Sequence, residues 1–253
     1  MLHAALWGLI QGLTEFLPIS SSGHLVLVPA LFGFEEPGLA ASVMLHLGTL
    51  LAVLAYYRSD LLRMLHVRTD PEARRILMLL LVGTIPAAVV GLTLHGPIEV
   101  VFSEPWLAAA ALMATGVILL FTMLVGRGLR RLAEGRWTDG VVVGLAQAFA
   151  LLPGISRSGM TIAAGMAQGF QRKEAARYAF LLSIPAIAGA GLIDGLDLVR
   201  TGGFTPDLLV GMAVAAVTGY LAIAGLLRVL VRVGLAPFAA YCLVFGGIAY
   251  ALV

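Results

Sequence analysis

The apolar stretches of the chain fall into two classes by length. Six of them have about 20 residues, the length that an α-helix needs to cross the hydrocarbon core of a bilayer. These six predicted spans lie at 39–57, 75–95, 105–125, 174–194, 207–228 and 236–253. Two further apolar stretches are interrupted in the middle by proline and serine, and neither half of either stretch is long enough to cross a bilayer alone.

The interrupted stretches lie at about 2–33 and 140–169. Irregular backbone at membrane depth is tolerated only where protein or a wet cavity satisfies its amides, so we predict a re-entrant helix–loop–helix hairpin in each. The pattern therefore predicts an all-α integral membrane protein with six transmembrane helices and two hairpins. We expect residues 1–253 to form one polytopic membrane domain.

Composition supports this fold class and limits the kinds of site. Of the 253 residues, 60% are hydrophobic and only 12% are charged, whereas soluble domains have about 25% charged residues. The net charge of +2 is too small to indicate a nucleic-acid partner. Cys242 is the only cysteine, which excludes a disulfide framework, and we expect it to be a small buried side chain.

The distribution of charge predicts the orientation in the membrane. Alternate loops are rich in basic residues, namely Arg58, Arg63, Arg68, Arg74, Arg75, Arg127, Arg130, Arg131, Arg136, Arg172, Lys173, Arg177, Arg228 and Arg232. The opposite loops carry Glu35, Glu36, Glu99, Glu104, Asp194, Asp197 and Asp207, with Arg200 as the only base. Basic loops face the cytoplasm, so both termini are predicted to lie outside. The first hairpin then enters from the outside and the second from the cytoplasm.

The two hairpins resemble each other in sequence. Without gaps, residues 8–24 and 144–160 are identical at seven of seventeen positions. Similar hairpins that enter from opposite faces are typical of an inverted repeat, whose shared site lies near the midplane of the membrane. The differences concern chemistry, because Glu15, Ser21 and His24 are replaced in the second copy by Leu151, Arg157 and Met160. We therefore predict one anion site between the two loops.

Glu15 is the only acid well inside an apolar segment, and an ionisable group at that depth indicates function. A buried structural carboxyl is the alternative. Gln11 lies one helical turn earlier on the same face, where its amide can bind the carboxylate, a ligand or the backbone.

The serine run of the first loop, Ser20 to Ser22, offers hydroxyls and backbone amides to phosphate oxygens at a helix start. Capping of that helix by Ser22 is the structural alternative. His24 follows the run, where acid–base or nucleophilic work is favoured over a purely structural role. His46 is expected to be a core residue that can also line the site.

Arg157 is the strongest candidate in the second loop, where Ser156 and Ser158 flank it. A guanidinium binds phosphate through two parallel hydrogen bonds. A salt bridge to Glu15 is the other predicted use, and the two uses are compatible.

Both loops carry motifs of a known family. The run from Gln11 to His24 resembles the first signature of the bacterial undecaprenyl-diphosphate phosphatases of the bacitracin-resistance type, and the run from Pro153 to Thr161 is similar to their second. The resemblance implies hydrolysis of undecaprenyl diphosphate to the monophosphate and phosphate, which recycles the lipid carrier for cell-wall synthesis. It also implies the bacterial plasma membrane, a site that opens to the periplasm, and a divalent cation, Mg²⁺ or Ca²⁺.

The resemblance assigns roles to individual residues. It implies catalytic roles for Glu15, Ser21 and His24, with Arg157 and Ser156 holding the diphosphate. Our full prediction counts Arg157 among the catalytic residues and adds to Ser156 the substrate-binding residues Gln11, Ser20, Ser22, Ser158 and Thr161. We expect Ser21 to attack the terminal phosphorus while His24 manages the proton, with a phospho-histidine at His24 as the alternative. Glu15 would orient His24 or bind the cation; the family often has Glu at position 11, and Gln11 argues against a metal shared by two carboxylates.

A transporter or flippase for a polyprenyl phosphate or another anion is the rival function, because inverted repeats with broken helices are also transporter architecture. The confinement of Glu15 and His24 to one loop favours an enzyme. We expect lipid and the bilayer as partners, with a homodimer compatible with the sequence.

Overall fold

The computed structural model describes residues 1–101, 104–126, 128–201 and 205–253, apart from the side chains of 95–101, 193–194 and 196–201. Within these ranges, the only regular structure other than helix is an isolated bridge between Arg130 and Phe170, so the predicted all-α class is confirmed there. Of the residues used above to orient the chain, Arg127 and the side chains of Glu99, Asp194, Asp197 and Arg200 lie outside the description.

The broken stretches are helix pairs. The first contains α1 (Leu2–Phe16) and α2 (Ser21–Phe32), and the second contains α7 (Trp137–Phe149) and α8 (Arg157–Ala167). The remaining helices are α3 (Leu39–Tyr56), α4 (Arg58–Met64), α5 (Pro71–Val101), α6 (Pro105–Phe121), α9 (Arg172–Thr201), α10 (Pro206–Arg232) and α11 (Ala236–Leu252), and a 3₁₀ turn occupies Leu132–Glu134. The short α4 was not predicted.

Among the described residues, four helices are long and apolar enough to cross a membrane: α3, α5, α9 and α10. These helices identify a multi-pass membrane protein. The two other predicted spans correspond to α6 and α11, which are apolar helices of 17 residues each. The six-span count and the re-entrant course of the two broken stretches stay predictions.

The two broken stretches pack in equivalent ways. Helix α1 lies against α10, and α7 lies against α5. Glycine allows the close approach in both pairs: a Cβ atom on Gly8 would lie 2.4 Å from the carbonyl oxygen of Gly211, and one on Gly144 would lie 2.6 Å from that of Gly83. Small residues permit such backbone contact between helices in membranes. Because Gly8 and Gly144 are equivalent in the sequence repeat, the repeat is also present in the packing.

Ion pairs tie several helices together where the predicted cytoplasmic loops meet. Arg177 of α9 pairs with Asp60 of α4 and contacts Glu72 of α5 at 3.4 Å. Arg63 pairs with Asp70, and the hydrogen bond from the guanidinium lowers the pKa of that carboxyl. These contacts connect α9 with α4 and α5.

Candidate active site

The first loop is fixed by a serine cap. The side chain of Ser20 accepts a hydrogen bond from the backbone amide of Gly23 at 3.2 Å and so caps the N-terminus of α2. The predicted cap at Ser22 was wrong, because α2 begins at Ser21 and Ser22 lies within its first turn. Ser20 itself has a φ of 65°, which is a strained value for a residue with a Cβ atom.

The second loop repeats this construction. The side chain of Ser156 accepts a hydrogen bond from the backbone amide of Gly159 at 3.1 Å and caps α8. In both loops the capping hydroxyl also contacts the hydroxyl two residues later, at 3.3 Å from Ser20 to Ser22 and at 3.2 Å from Ser156 to Ser158. In the second loop the residue with a positive φ is Gly154, at 89°, and the capping Ser156 has a φ of −76°.

The two loops contact each other directly. The hydroxyl of Ser158 donates a hydrogen bond to the carbonyl oxygen of Leu17 at 3.0 Å. The hydroxyl of Ser20 lies 3.5 Å from the carbonyl oxygen of Ile155. The predicted meeting of the loops is therefore a feature of the structure, and each loop satisfies backbone oxygens of the other.

Glu15 joins the polar groups of both loops. One carboxylate oxygen accepts hydrogen bonds from the amide nitrogen of Gln11 at 2.9 Å and from the hydroxyl of Ser21 at 2.5 Å. The other oxygen forms an ion pair with the guanidinium of Arg157, which also lies 3.5 Å from the carbonyl oxygen of Ser183. The side chain of Glu15 is 5% exposed and that of Arg157 is 19% exposed, so the pair is largely withdrawn from solvent.

A small cavity of about 50 Å³ lies at this junction. Residues from both loops line it, namely Glu15, Ser20, Ser21, Ser22, Ala150, Ile155, Ser156 and Arg157. Six of the ten predicted site residues thus line the cavity. The four others, Gln11, His24, Ser158 and Thr161, are buried beside it.

His24 has partners that the sequence did not predict. Its Nδ1 atom lies 2.7 Å from the carbonyl oxygen of Ser20, and its Nε2 atom lies 2.7 Å from the hydroxyl of Tyr241 on α11. The imidazole is also stacked on the ring of Phe245, with a centroid distance of 5.1 Å. Both ring nitrogens are therefore engaged away from the hydroxyl of Ser21, which donates to Glu15.

Thr161 and His46 serve as structural neighbours of the cavity. The hydroxyl of Thr161 donates to the carbonyl oxygen of Arg157 at 2.8 Å, which steadies the first turn of α8. His46 binds the carbonyl oxygen of Ser42 through Nδ1 at 2.8 Å.

Other contributors were missed because they lie in apolar runs. The hydroxyl of Thr115 donates to the carbonyl oxygen of Gly154 at 3.1 Å and accepts from the amide of Ser156 at 3.0 Å. Gln147, the repeat equivalent of Gln11, is 1% exposed with no hydrogen-bond partner for its side-chain amide among the described residues. Only the repeat alignment gave a signal for Gln147, and no motif pointed to Thr115 or Tyr241.

The groups around the cavity include oxygen atoms that could be ligands of a divalent cation. Among the described residues, no three His, Cys, Asp or Glu side chains come together. The site nevertheless offers the carboxylate of Glu15 and the side-chain oxygen of Gln11, which is buried without a partner. Mg²⁺ is commonly held by one or two carboxylates together with substrate phosphates and water. The residues present therefore fit a cation that is shared with a bound diphosphate.

The cavity combines groups suited to an anionic, phosphate-like ligand. Arg157 supplies a planar fork of N–H donors, the loop serines supply hydroxyls, and the capped starts of α2 and α8 supply positive helix ends. Ser21 adds a nucleophile whose proton already has a carboxylate acceptor, which is the arrangement that activates a hydroxyl.

Comparison with known proteins covers nearly the whole chain. A family model described as bacitracin resistance protein BacA matches residues 4–248. A protein of Geobacter metallireducens named undecaprenyl-diphosphatase is 44% identical, over 97% of this chain and 95% of its own. Proteins of the same name are 45% identical in Trichlorobacter lovleyi, over 95% and 93% of the two chains, and 44% identical in Thermomicrobium roseum, over 96% and 95%.

Proposed function

The chain belongs to the bacitracin resistance protein BacA family, and from that premise we propose that it hydrolyses undecaprenyl diphosphate to undecaprenyl phosphate and inorganic phosphate. Its role would be to recycle the lipid carrier for cell-wall synthesis. The observation that carries the proposal is the unbroken series of contacts from the hydroxyl of Ser21 through the carboxylate of Glu15 to the guanidinium of Arg157.

The nucleophile in this proposal is Ser21. Its oxygen attacks the terminal phosphorus while its proton passes to Glu15, the acceptor at 2.5 Å. The bond from phosphorus to the bridging oxygen breaks, and undecaprenyl phosphate leaves. Water then attacks the phosphoserine, and the bond from phosphorus to the oxygen of Ser21 breaks. The hydroxyl of the water becomes part of the released inorganic phosphate, its other proton goes to solvent, and the oxygen of Ser21 takes back its proton from Glu15. In this scheme Glu15 takes the part that the sequence had suggested for His24, and proton transfer by His24, or a phospho-histidine there, stays an alternative prediction.

Arg157 would change partner during the reaction. A diphosphate in the cavity competes with Glu15 for the guanidinium, whose fork fits two phosphate oxygens. As Arg157 moves its hydrogen bonds to the phosphate, Glu15 loses its counter-charge and becomes a better proton acceptor. The same guanidinium then stabilises the negative charge on the equatorial oxygens in the transition state.

The balance of charge supports a role for Mg²⁺ or Ca²⁺. Glu15 and Arg157 cancel, so the pair alone gives no net positive charge to oppose a diphosphate. Glu15 and the free oxygen of Gln11 would hold the cation together with phosphate oxygens. A bound cation would supply charge neutralisation at the phosphate, and the departure from Glu at position 11 makes its affinity lower than for a two-carboxylate site.

For the arrangement in the membrane we propose the six spans and the two oppositely inserted re-entrant hairpins predicted from the sequence. The equivalent packing of α1 on α10 and of α7 on α5 supports an inverted repeat. The basic loops support a cytoplasmic location for the ends that Arg177 and Arg63 tie together. The protein would then lie in the bacterial plasma membrane with the site open to the periplasm and both termini there.

Release of phosphate from undecaprenyl diphosphate by the purified protein in detergent tests the function. We expect release by the wild type that falls roughly a thousandfold in Arg157→Ala, and Arg74→Ala, on an exposed residue, serves as the control. Dialysis against a chelator should lower the rate, and Mg²⁺ or Ca²⁺ should restore it. Binding of the lipid without phosphate release by the wild type would contradict hydrolysis and favour transport.

A further inference from the structure

The environment of His24 determines which of its nitrogens is basic. Nδ1 lies 2.7 Å from the backbone carbonyl oxygen of Ser20, and a carbonyl oxygen only accepts hydrogen bonds. The hydrogen of that bond therefore belongs to Nδ1. In the neutral imidazole Nε2 is then the nitrogen with the free electron pair, and the hydroxyl of Tyr241 donates to it at 2.7 Å.

Tyr241 is well placed to hold this state. It lies on α11, where Phe245 follows one helical turn later, and both rings are nearly parallel to the imidazole, at interplanar angles of 9° and 11°. The imidazole is 4% exposed, so a rotation of its ring would break two hydrogen bonds and the stacking at once. The second hairpin has Met160 at the position of His24, and a methionine side chain has no ring nitrogen that must be oriented.

We infer that Tyr241 is a positioning residue for His24: its hydroxyl and ring hold in place the imidazole that the carbonyl oxygen of Ser20 fixes as the Nδ1–H tautomer, with Nε2 as its only basic nitrogen. The inference rests on the proposed function, and its effect on the rate rests on the alternative given there, in which His24 transfers a proton. It follows that any proton or phosphoryl group that His24 accepts is carried on Nε2, beside the hydroxyl of Tyr241. Tyr241 contacts neither Glu15 nor Arg157 in the described structure, so its effect is transmitted through His24.

The first test measures the tautomer of His24 in the wild type. Nitrogen-15 NMR of histidine-labelled protein in detergent distinguishes the two tautomers by which ring nitrogen carries the hydrogen. The chain has five histidines, and a His24→Asn variant assigns the signal of His24. We expect Nδ1 to be protonated and Nε2 to be unprotonated. The opposite tautomer at His24 in the wild type would overturn the inference.

The second test removes only the hydroxyl. In Tyr241→Phe we expect Nδ1 to stay protonated, because the carbonyl oxygen of Ser20 still accepts its hydrogen, and the nitrogen-15 signal of Nε2 to shift, because its hydrogen-bond donor is lost. We also expect a kcat lower by about tenfold or more and a KM changed by less than about twofold, since the diphosphate contacts are untouched. Tyr220→Phe is the matched control, because Tyr220 and Tyr241 are both 40% exposed and the ring of Tyr220 lies against Tyr56 instead, at an interplanar angle of 58°.

The outcomes separate this inference from the proposed function. An active wild type in which Tyr241→Phe behaves like Tyr220→Phe, in kcat or in the Nε2 signal of His24, overturns the positioning role and leaves hydrolysis intact. Absence of phosphate release from the wild type contradicts the proposed function itself, and the tautomer measurement on the wild type still decides how His24 is held.

Discussion

The two hairpins share a backbone design but differ in the chemistry that they contribute. In both, the capping serine binds the amide three residues later and the hydroxyl two residues later, at distances that agree within about 0.1 Å. The first hairpin carries an acid, a hydroxyl and an imidazole at the positions where the second carries Leu151, Arg157 and Met160. The two hairpins therefore share the backbone and the capping serines and differ at the acid, the hydroxyl and the imidazole.

The supports of the two loops differ in a matching way. In the first hairpin, Tyr241 and Phe245 of α11 contact the imidazole of His24. In the second, the hydroxyl of Thr115 on α6 forms hydrogen bonds with the backbone of Gly154 and of Ser156. A reactive group needs a fixed side chain, while an arginine that changes partner needs a fixed backbone and a free guanidinium. The difference agrees with our proposal that the first hairpin performs the chemistry and the second holds the anion.

The sharpest way to break this comparison is to remove the proposed nucleophile. Ser21→Ala should lower phosphate release by roughly ten-thousandfold, because no other group would form the phosphoryl-enzyme. Ser22→Ala, on the neighbouring hydroxyl of the same cavity, should lose less than about tenfold. An acid-stable phosphoryl-enzyme trapped in the wild type would support Ser21, and an acid-labile one would move the nucleophile to His24.

A second change makes the first hairpin resemble the second. Glu15→Leu places in α1 the residue that α7 has at position 151, and it deprives Ser21 of its proton acceptor and Arg157 of its partner. We expect phosphate release to fall roughly a thousandfold. Glu35→Leu, on an exposed acid, is the control. Activity within tenfold of the wild type would mean that Glu15 is a structural carboxyl.

The equivalence of packing can be tested at the glycine contacts. Gly8→Ala and Gly144→Ala each place a methyl group within 2.4 to 2.6 Å of a backbone carbonyl oxygen, and each should destabilise the protein by about 1–3 kcal/mol. Gly225→Ala and Gly247→Ala meet open space and should be neutral or slightly stabilising. Thermal unfolding in detergent measures all four, and a large effect at only one of the two contacts would contradict equivalent packing.

The smallest expected effect is a difference in stability between variants of the two capping serines, Ser20 and Ser156. Ser156→Ala and Ser20→Ala each remove a cap and should cost about 1 kcal/mol. Glycine relieves the positive φ at position 20 but has no such advantage at position 156, where φ is −76°. The gain in stability of the glycine variant over the alanine variant should therefore be about 1 kcal/mol larger at position 20 than at position 156. Equal margins in thermal unfolding would show that Ser20 is unstrained.

Much of this organisation could be predicted from local patterns. The helix breaks follow from Pro18, from Pro153 with Gly154, and from the serines beside them, and the repeat follows from identities at equal spacing. The ion pair of Glu15 with Arg157 was predicted because two buried opposite charges must compensate each other. Each of these inferences depends on residues that are close in sequence or unusual in an apolar setting.

The rest depends on tertiary contacts that no local pattern encodes. The cap fell on Ser20 instead of Ser22 because the loop turns through a positive φ before α2 begins. Tyr241 lies 217 residues from His24 in an ordinary apolar helix, so its hydroxyl had no distinguishing feature. Thr115 likewise gains its role only when α6 meets the second loop.

The cavity walls come from both halves of the chain, which has a consequence for the folded state. Any anion that settles there bridges two segments separated by more than a hundred residues, and it acts as a reversible cross-link between the halves. By mass action, resistance to heat should then rise with ligand concentration. The carrier lipid would in this way protect from unfolding the protein that processes it.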